Sequence, residues 1–347
     1  MKITSVEVVQ NKHPVPLPEP YVPAWLAPNG KPRTGLNFSF YRVHTDAGIT
    51  GFGPATGFSE LEKLQGFDPF RIGEFYNAYM GRKGNGNHRA TGIEIELWDI
   101  VGKAANLPVY NLPGAHWDRI PVFAASVRLL DMDQHIRQAQ KLIETGFRAV
   151  KLRPHREDPK DDLAVVEAVR EAVGKDVQLL VDANQSNESP GYAYWSRSTA
   201  LEMVRHLEEL DVYFLEDPLP NGEVEGLAEI CDSVEMYIAG GEHLQAAHEF
   251  KAHWVAGIYD IVQPDVAFRR NIGICGMRDV ASLADHFDRL VCPHVSGNGT
   301  TPLAMAATLQ AMATVPNCPM MEYVYDPPIL TPKTNQFIAR EPLLRYL

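Results

Sequence analysis

Seven ionisable residues recur in order through the C-terminal two-thirds of this chain: Lys151, Asp182, Glu216, Glu242, Asp265, His294 and Glu322. Successive gaps are 31, 34, 26, 23, 29 and 28 residues, and each residue ends, follows or lies within a short apolar run. Their types suggest three kinds of chemistry. Asp182, Glu216 and Glu242 are hard oxygen donors that, once converged, would repel and raise one another's pKa unless a cation lay between them. A donor set without cysteine favours Mg²⁺ over zinc. Asp265 and His294 form a carboxylate–imidazole pair, in which the acid fixes the tautomer and raises basicity, as a general base near neutral pH requires. Lys151 and Arg153 stand two apart on a strand and so face the same way, placed to hold a substrate carboxylate. Glu322 could donate to that carboxylate's other oxygen if burial raises its pKa.

Two acidic or histidine-rich segments are set aside. The histidines of His248-Glu249-Phe250-Lys251-Ala252-His253 are five apart rather than four, so they do not share a helix face as a zinc-protease pair would. Glu157-Asp158 and Asp161-Asp162 read as solvated faces or a helix N-terminus.

The elements that must position these residues follow a regular plan. Apolar runs at 121–126, 149–153, 178–182, 213–216, 237–241, 259–263, 290–293 and 320–323 are separated by helical patterns, among them 133–145, 162–173, 198–210, 278–286 and 302–314. Eight strands alternating with helices predict a closed parallel barrel, and charges at strand C-termini would project from one mouth of it. An open doubly wound sheet would carry a glycine-rich phosphate turn after its first strand, and none is present. The first 118 residues mix strand patterns at 3–9 and 38–45, a turn at Asp46-Ala47-Gly48 and an amphipathic helix at 92–103. Between the strands lie seven prolines, from Pro14 to Pro32, which read as a long functional loop holding Tyr21 and Trp25.

Composition limits the partners. The 347 residues carry 32 Lys+Arg against 44 Asp+Glu, a net charge of −12, which disfavours nucleic acid and anionic membrane surfaces. Hydrophobic residues make up 45%, enough for a packed core, and no run nears the roughly 20 apolar residues of a membrane span. The four scattered cysteines form no Cys-x-x-Cys pair and read as free thiols. The N-terminus alternates like a strand and lacks a signal-peptide core. Together these features predict a soluble cytoplasmic protein of about two domains.

Taken in order, the motifs resemble those of the enolase superfamily, specifically its mandelate racemase-like group, which includes acid-sugar dehydratases. Ile93–Lys103 followed by Leu107-Pro108-Val109-Tyr110-Asn111-Leu112-Pro113-Gly114 looks like the helix and turn leading into that family's barrel. Val181-Asp182-Ala183-Asn184, Leu215-Glu216-Asp217-Pro218 and Gly241-Glu242 resemble its three magnesium-ligand motifs, and Gln263-Pro264-Asp265 and Cys292-Pro293-His294 its Asp–His dyad. The resemblance implies an α/β fold: a (β/α)7β TIM-like barrel over 119–325, an α+β capping domain over 1–118, and a C-terminal segment over 326–347 returning toward the cap. It also implies that the Pro-rich segment, about 11–36, is a lid, with Tyr21 and Trp25 at the substrate, and that the chain forms a dimer or octamer.

The expected activity is Mg²⁺-dependent dehydration of a sugar acid to a 2-keto-3-deoxy acid, within sugar-acid catabolism. Asp182, Glu216 and Glu242 would hold one Mg²⁺. His294, oriented by Asp265, would take the α-proton, with Lys151, Arg153 and Glu322 around the substrate carboxylate. Asn184, His155 and His243 stand near enough in sequence to touch substrate. The family's racemases carry a second lysine where this chain has Arg153, and arginine, with a pKa above about 12, is a poor proton acceptor. That weighs against two-base racemisation and favours elimination with one base. Racemisation, epimerisation or cycloisomerisation on the same scaffold, and a metal-binding scaffold without catalysis, remain the alternatives.

Overall fold

The alternating segments near the N-terminus pair as their patterns require. In the computed structural model, which describes residues 1–331 apart from 28, 82–85, 187–193, 268–271 and 296–300, Ile3–Gln10 (β1) is followed by Val15–Tyr21 (β2) and Arg33–Leu36 (β3). Ser39–Thr45 (β4) and Thr50–Pro54 (β5) come next, then helices Ile72–Tyr79 (α1) and Thr91–Ala105 (α2). β4 pairs antiparallel with both β1 and β5, turning through Gly48 at φ 74°. α2 lies on this sheet at a separation only glycine permits: a Cβ on Gly92 would meet the Pro54 carbonyl oxygen at 2.0 Å. One flank of α2 (Ile93, Leu97, Ile100) joins the core with Tyr41, Val43 and Phe75, while Ile95 joins the barrel core. The helix expected at 92–103 is therefore present and is buried on nearly every side, Glu94, Glu96 and Asp99 included, rather than on one apolar face.

The Pro-rich segment is also not all loop. β2 and β3 pair antiparallel. Prolines at 16, 18 and 20 put every missing N–H on one side of β2, so the strand survives at an edge. Tyr21 and Leu36 from this arm pack with Val127, Val295, Val324, Ile329 and Leu330, apolar residues at the ends of barrel strands and just beyond them.

The barrel runs Val122–Ala125 (β6), Met132–Glu144 (α3), Ala149–Leu152 (β7), Pro159–Val173 (α4), Gln178–Asp182 (β8), Arg197–Glu209 (α5), Val212–Glu216 (β9), Val224–Asp232 (α6), Tyr237–Gly240 (β10), Ala247–Val255 (α7), Ile261–Val262 (β11), Gly273–Asp285 (α8), Leu290–Val291 (β12), Thr301–Met312 (α9) and Met321–Val324 (β13). The spatial order is β12-β11-β10-β9-β8-β7-β6-β13, all parallel. The last strand beside the first means that the sheet curls round on itself. No ladder joins β12 to β13 among the described residues. The seam is crossed instead by Val291 N–H to the Asn317 carbonyl (3.0 Å) and Val295 N–H to Glu322 Oε2 (2.8 Å).

Asp158 caps α4 through the Lys160 amide (3.0 Å) and Asp161 and Asp162 stand in its first turn, so of the two readings the helix N-terminus holds; Asp162 is buried against Arg156 (2.8 Å) rather than solvated. All four cysteines are free thiols. No described helix is long and apolar enough to cross a membrane. Of the C-terminal segment, residues 332–347 lie outside the described residues.

Candidate active site

The strand pleat builds the site. One apolar cluster inside the barrel contains Ala149, Leu180, Phe214, Ile261, Cys292 and Met320, one residue from each of six strands or strand edges. Two residues further along each, on the same face, stand Lys151, Asp182, Glu216, Gln263, His294 and Glu322. The charged residues are thus the next layer above the apolar plug, at the C-terminal mouth. Arg153 and Asp265 are one period beyond Lys151 and Gln263. Glu242 breaks this rhythm. It follows Gly241, whose φ of 95° turns the chain, so the acid enters the site one residue out of phase.

Within this layer each acid meets a cation. Lys151 Nζ lies 2.6 Å from Glu216 Oε2, 2.9 Å from Glu322 Oε1 and 3.9 Å from Asp182 Oδ2. Arg153 donates to Asp182 through Nη1, to Glu322 Oε1 through Nη2 (3.0 Å) and to the Ser126 carbonyl through Nε (2.8 Å). Gln263 Nε2 donates to Glu216 Oε2 at 2.8 Å. Burial and the Arg153 charge both press the Lys151 ammonium to lose its proton, but Glu216, Glu322 and Asp182 outweigh them and its pKa rises.

Glu322 does not behave as expected. Burial would raise its pKa, but Lys151, His294 and Arg153 hold it down to about 2, so it is ionised and is not a proton donor at neutral pH. Its oxygens instead accept from Lys151, Arg153 and the Val295 amide.

The Asp–His pair is present. His294 Nδ1 lies 2.7 Å from Asp265 Oδ2, and Asp265 Oδ1 accepts the Ala267 amide at 2.7 Å, which fixes the acid. His294 Nε2 lies 3.2 Å from Glu242 Oε2. The dyad and the Glu242 acid therefore touch. The reason is the phase shift at Gly241. Burial opposes a charge on His294, but Glu242, the Asp265 hydrogen bond and Glu322 together push it up to about 10. Burial likewise would raise Glu242, yet His294 and His243 bring it below the usual carboxylate range.

The three-carboxylate cage is not laid out as expected. Among the described residues no three His, Cys, Asp or Glu side chains form a ready ligand set. Lys151 and Arg153 stand on Glu216 and Asp182, and His294 on Glu242. The donors nonetheless suit a hard cation. Glu216 Oε1 is buried without a hydrogen-bond partner, as is Asn184 Oδ1. Asp182 is pushed up to about 7, by burial first and then by the Glu216 charge. A divalent ion would satisfy the one and relieve the other.

Other expected contacts divide. His155 and Asn184 are buried at the strand ends, and burial brings His155 down to about 4. Asn184 sits at φ 52°, its amide donating to Asp182 Oδ1 at 2.8 Å. His243 is partly exposed, 3.2 Å from Glu242 Oε1. Trp25 reaches the site, with the Arg153 guanidinium over its ring at 5.2 Å. Tyr21 does not face the mouth openly. It is buried beneath the arm, and its hydroxyl pKa is raised mainly by that burial. The sequence reading gave no role to Gln263 or Asp217. Alternation with Ile261 would have found the first. Asp217, buried beside Glu216 with its carboxyl pushed well above the usual range by burial and by Glu242, has no periodic signal.

Residues 134–344 match the family described as enolase C-terminal domain-like. An L-talarate/galactarate dehydratase of Salmonella typhimurium is 31% identical over 83% of this chain and 69% of its own length. A 3,6-anhydro-alpha-L-galactonate cycloisomerase of Streptomyces coelicolor is 32% identical over 70% of this chain, and the chain spans 63% of that relative. A racemase from Streptomyces coelicolor A3(2), solved with bound magnesium, superposes with a TM-score of 0.77 at 27% identity, covering 92% of this chain and 89% of that one.

Proposed function

This chain belongs to the enolase superfamily, and from that premise we propose that it is a Mg²⁺-dependent hydro-lyase that dehydrates a sugar acid to a 2-keto-3-deoxy acid. The observation that carries the reading is the dyad. His294 is held at Nδ1 by Asp265 (2.7 Å) while its Nε2 faces the carboxylate layer (3.2 Å from Glu242), so the nitrogen that would exchange a proton points into the mouth. Asp182, Glu216 and Glu242 would hold the Mg²⁺, which supplies positive charge to the substrate carboxylate as its α-proton is removed.

The chain's own residues then have these roles. Lys151 and Arg153 face the negative charge that moves onto the carboxylate when the Cα–H bond breaks, already oriented by their acids and so with little reorganisation. Glu322 keeps both cations in place. In its neutral form, which a cation drawing off the Glu242 charge would favour, His294 accepts the α-proton at Nε2 and gives it to the 3-hydroxyl. The C3–O bond breaks, water leaves, and the resulting enol becomes the 2-keto acid. Arg153 stays protonated, leaving a single base at the site, which suits elimination on one face rather than exchange between two. The arm with Trp25 forms the wall of the substrate pocket.

A panel of aldonic and aldaric acids, incubated with and without Mg²⁺ and assayed for keto-acid formation, tests this reading. Mg²⁺-dependent keto acid, lost in His294→Asn, is expected. Deuterium uptake from D₂O with no loss of water and no change of skeleton would replace dehydration by racemisation or epimerisation, and an isomeric product with a ring opened or closed would point to cycloisomerisation. No turnover with any acid would leave a metal-binding scaffold.

A further inference from the structure

A second polar network lies outside the catalytic layer and joins the barrel to the arm. Asp326, two residues beyond β13, is fully buried and accepts five hydrogen bonds: from the Val127 amide (2.9 Å), the Arg128 amide (3.1 Å), Arg128 Nε (3.0 Å) and Nη2 (2.7 Å), and Gln138 Nε2 (2.5 Å). The remaining Arg128 nitrogen, Nη1, reaches Glu19 Oε1 on β2 at 2.9 Å. Arg128 also forms a β-bridge with Pro23, and the Ala24 amide donates to the Val127 carbonyl at 2.8 Å. The next residue is Trp25.

We propose that Asp326 and Arg128 are positioning residues for the active site, acting through Trp25 on Arg153. Three of the five in-plane N–H donors of Arg153 go to Ser126, Asp182 and Glu322, which fixes the edge of its guanidinium and leaves its flat face to another group. The Trp25 ring covers that face at 5.2 Å. The backbone bond at Ala24 sets where the indole lands. That bond is made by Val127, whose own amide and whose neighbour Arg128 are held by Asp326. A buried carboxylate with five donors is a rigid anchor, so the arm is a fixed wall whose register determines the angle of the guanidinium toward substrate.

The kinetic consequence rests on the sugar-acid reading, so the experiment has two readouts. Asp326→Asn, Trp25→Leu and the double variant are compared for kcat/KM toward the best sugar acid. Each single change is expected to cost about 10- to 100-fold, the scale of a small misplacement near the reacting atoms. The double variant should lose no more than the worse single, because both break the same chain of contacts. Losses that multiply in the double variant would overturn the proposal, as would Asp326→Asn lowering only the melting temperature.

The second readout needs no substrate. The emission of Trp25, obtained by subtracting the matching Trp25→Leu spectrum, should become more accessible to acrylamide in Asp326→Asn. An unchanged Trp25 signal overturns the proposal. A changed signal in a protein that turns over no sugar acid upholds the positioning and refutes the proposed function instead. Should Asp326→Asn fail to fold, Glu19→Gln, half exposed on the arm, carries the same comparison with a smaller loss in the same direction.

Discussion

Two regions of the molecule bury several carboxylates, and they satisfy them differently. On α2, Glu94 accepts the Ile274 and Cys275 amides (2.9 Å each) at the start of α8 and the Trp98 indole (2.8 Å). Asp99 accepts the Phe52 amide (2.8 Å) and Lys103 (2.6 Å). Glu96 packs against Gly53, and among the described residues no cation pairs with it. Burial raises the pKa of all three. At the barrel mouth the acids are held chiefly by ionised side chains, and Glu322 and Glu242 lie below the usual range. Peptide N–H groups are fixed by the fold and make α2 a clamp between sheet and barrel. Side-chain cations can exchange one anion for another, which is what a site that must admit a charged substrate needs.

The contrast can be broken most severely at Lys151. Lys151→Met leaves Glu216 buried without its cation and Glu322 with Arg153 alone, and should cost about 3–5 kcal/mol of unfolding free energy in denaturant titration as well as activity. His294→Asn should keep the fold and lower kcat by roughly 10²–10⁴, the usual weight of a general acid–base group. A loss below tenfold would remove His294 from the mechanism. Glu94→Gln turns an acceptor of two amides into a group with its own donors. It should cost about 1–3 kcal/mol while leaving the KM for the sugar acid unchanged, since the clamp lies away from the mouth. An altered KM would show that the two regions are coupled.

The smallest effect concerns pH. Glu96 has its folded pKa raised by burial and by the Asp99 charge, so as pH rises above about 4.5 the unfolded chain releases a proton that the folded chain keeps. That group therefore erodes stability with rising pH, and Glu96→Gln should gain on the parent in melting temperature from pH 5 to pH 9. Glu322 has the opposite sign. With its folded value near 2, its contribution is present above about 4.5 and disappears as pH falls through about 2. A parent protein whose acid unfolding is unaffected by Glu322→Gln would remove the distinction between the two regions.

Much of the barrel was legible because its signals are local. Each strand is a short apolar run, each helix a 3.6-residue pattern, and the charge at the end of each strand recurs with the strand–helix unit. The arm was misread because seven prolines suggest a loop, whereas placing three of them on one side of β2 leaves an edge strand intact. Glu322 was read with the wrong sign. Burial alone raises a carboxyl pKa, and only the arrival of Lys151, Arg153 and His294 reverses it. The Asp326 anchor had no sequence signal, since Arg128, Gln138 and Glu19 are 198, 188 and 307 residues away along the chain.

The sequence by itself determined the order of elements and the residue offered at each strand end, because pleat alternation and helix periodicity are properties of a few neighbouring residues. Only the tertiary structure decided which charge meets which: Lys151 with Glu216 across 65 residues, Arg153 with Glu322 across 169, and His294 with Glu242 through the turn at Gly241. Coulombic pairing depends on distance in space and on the exclusion of water, and neither is written in the spacing of residues along the chain.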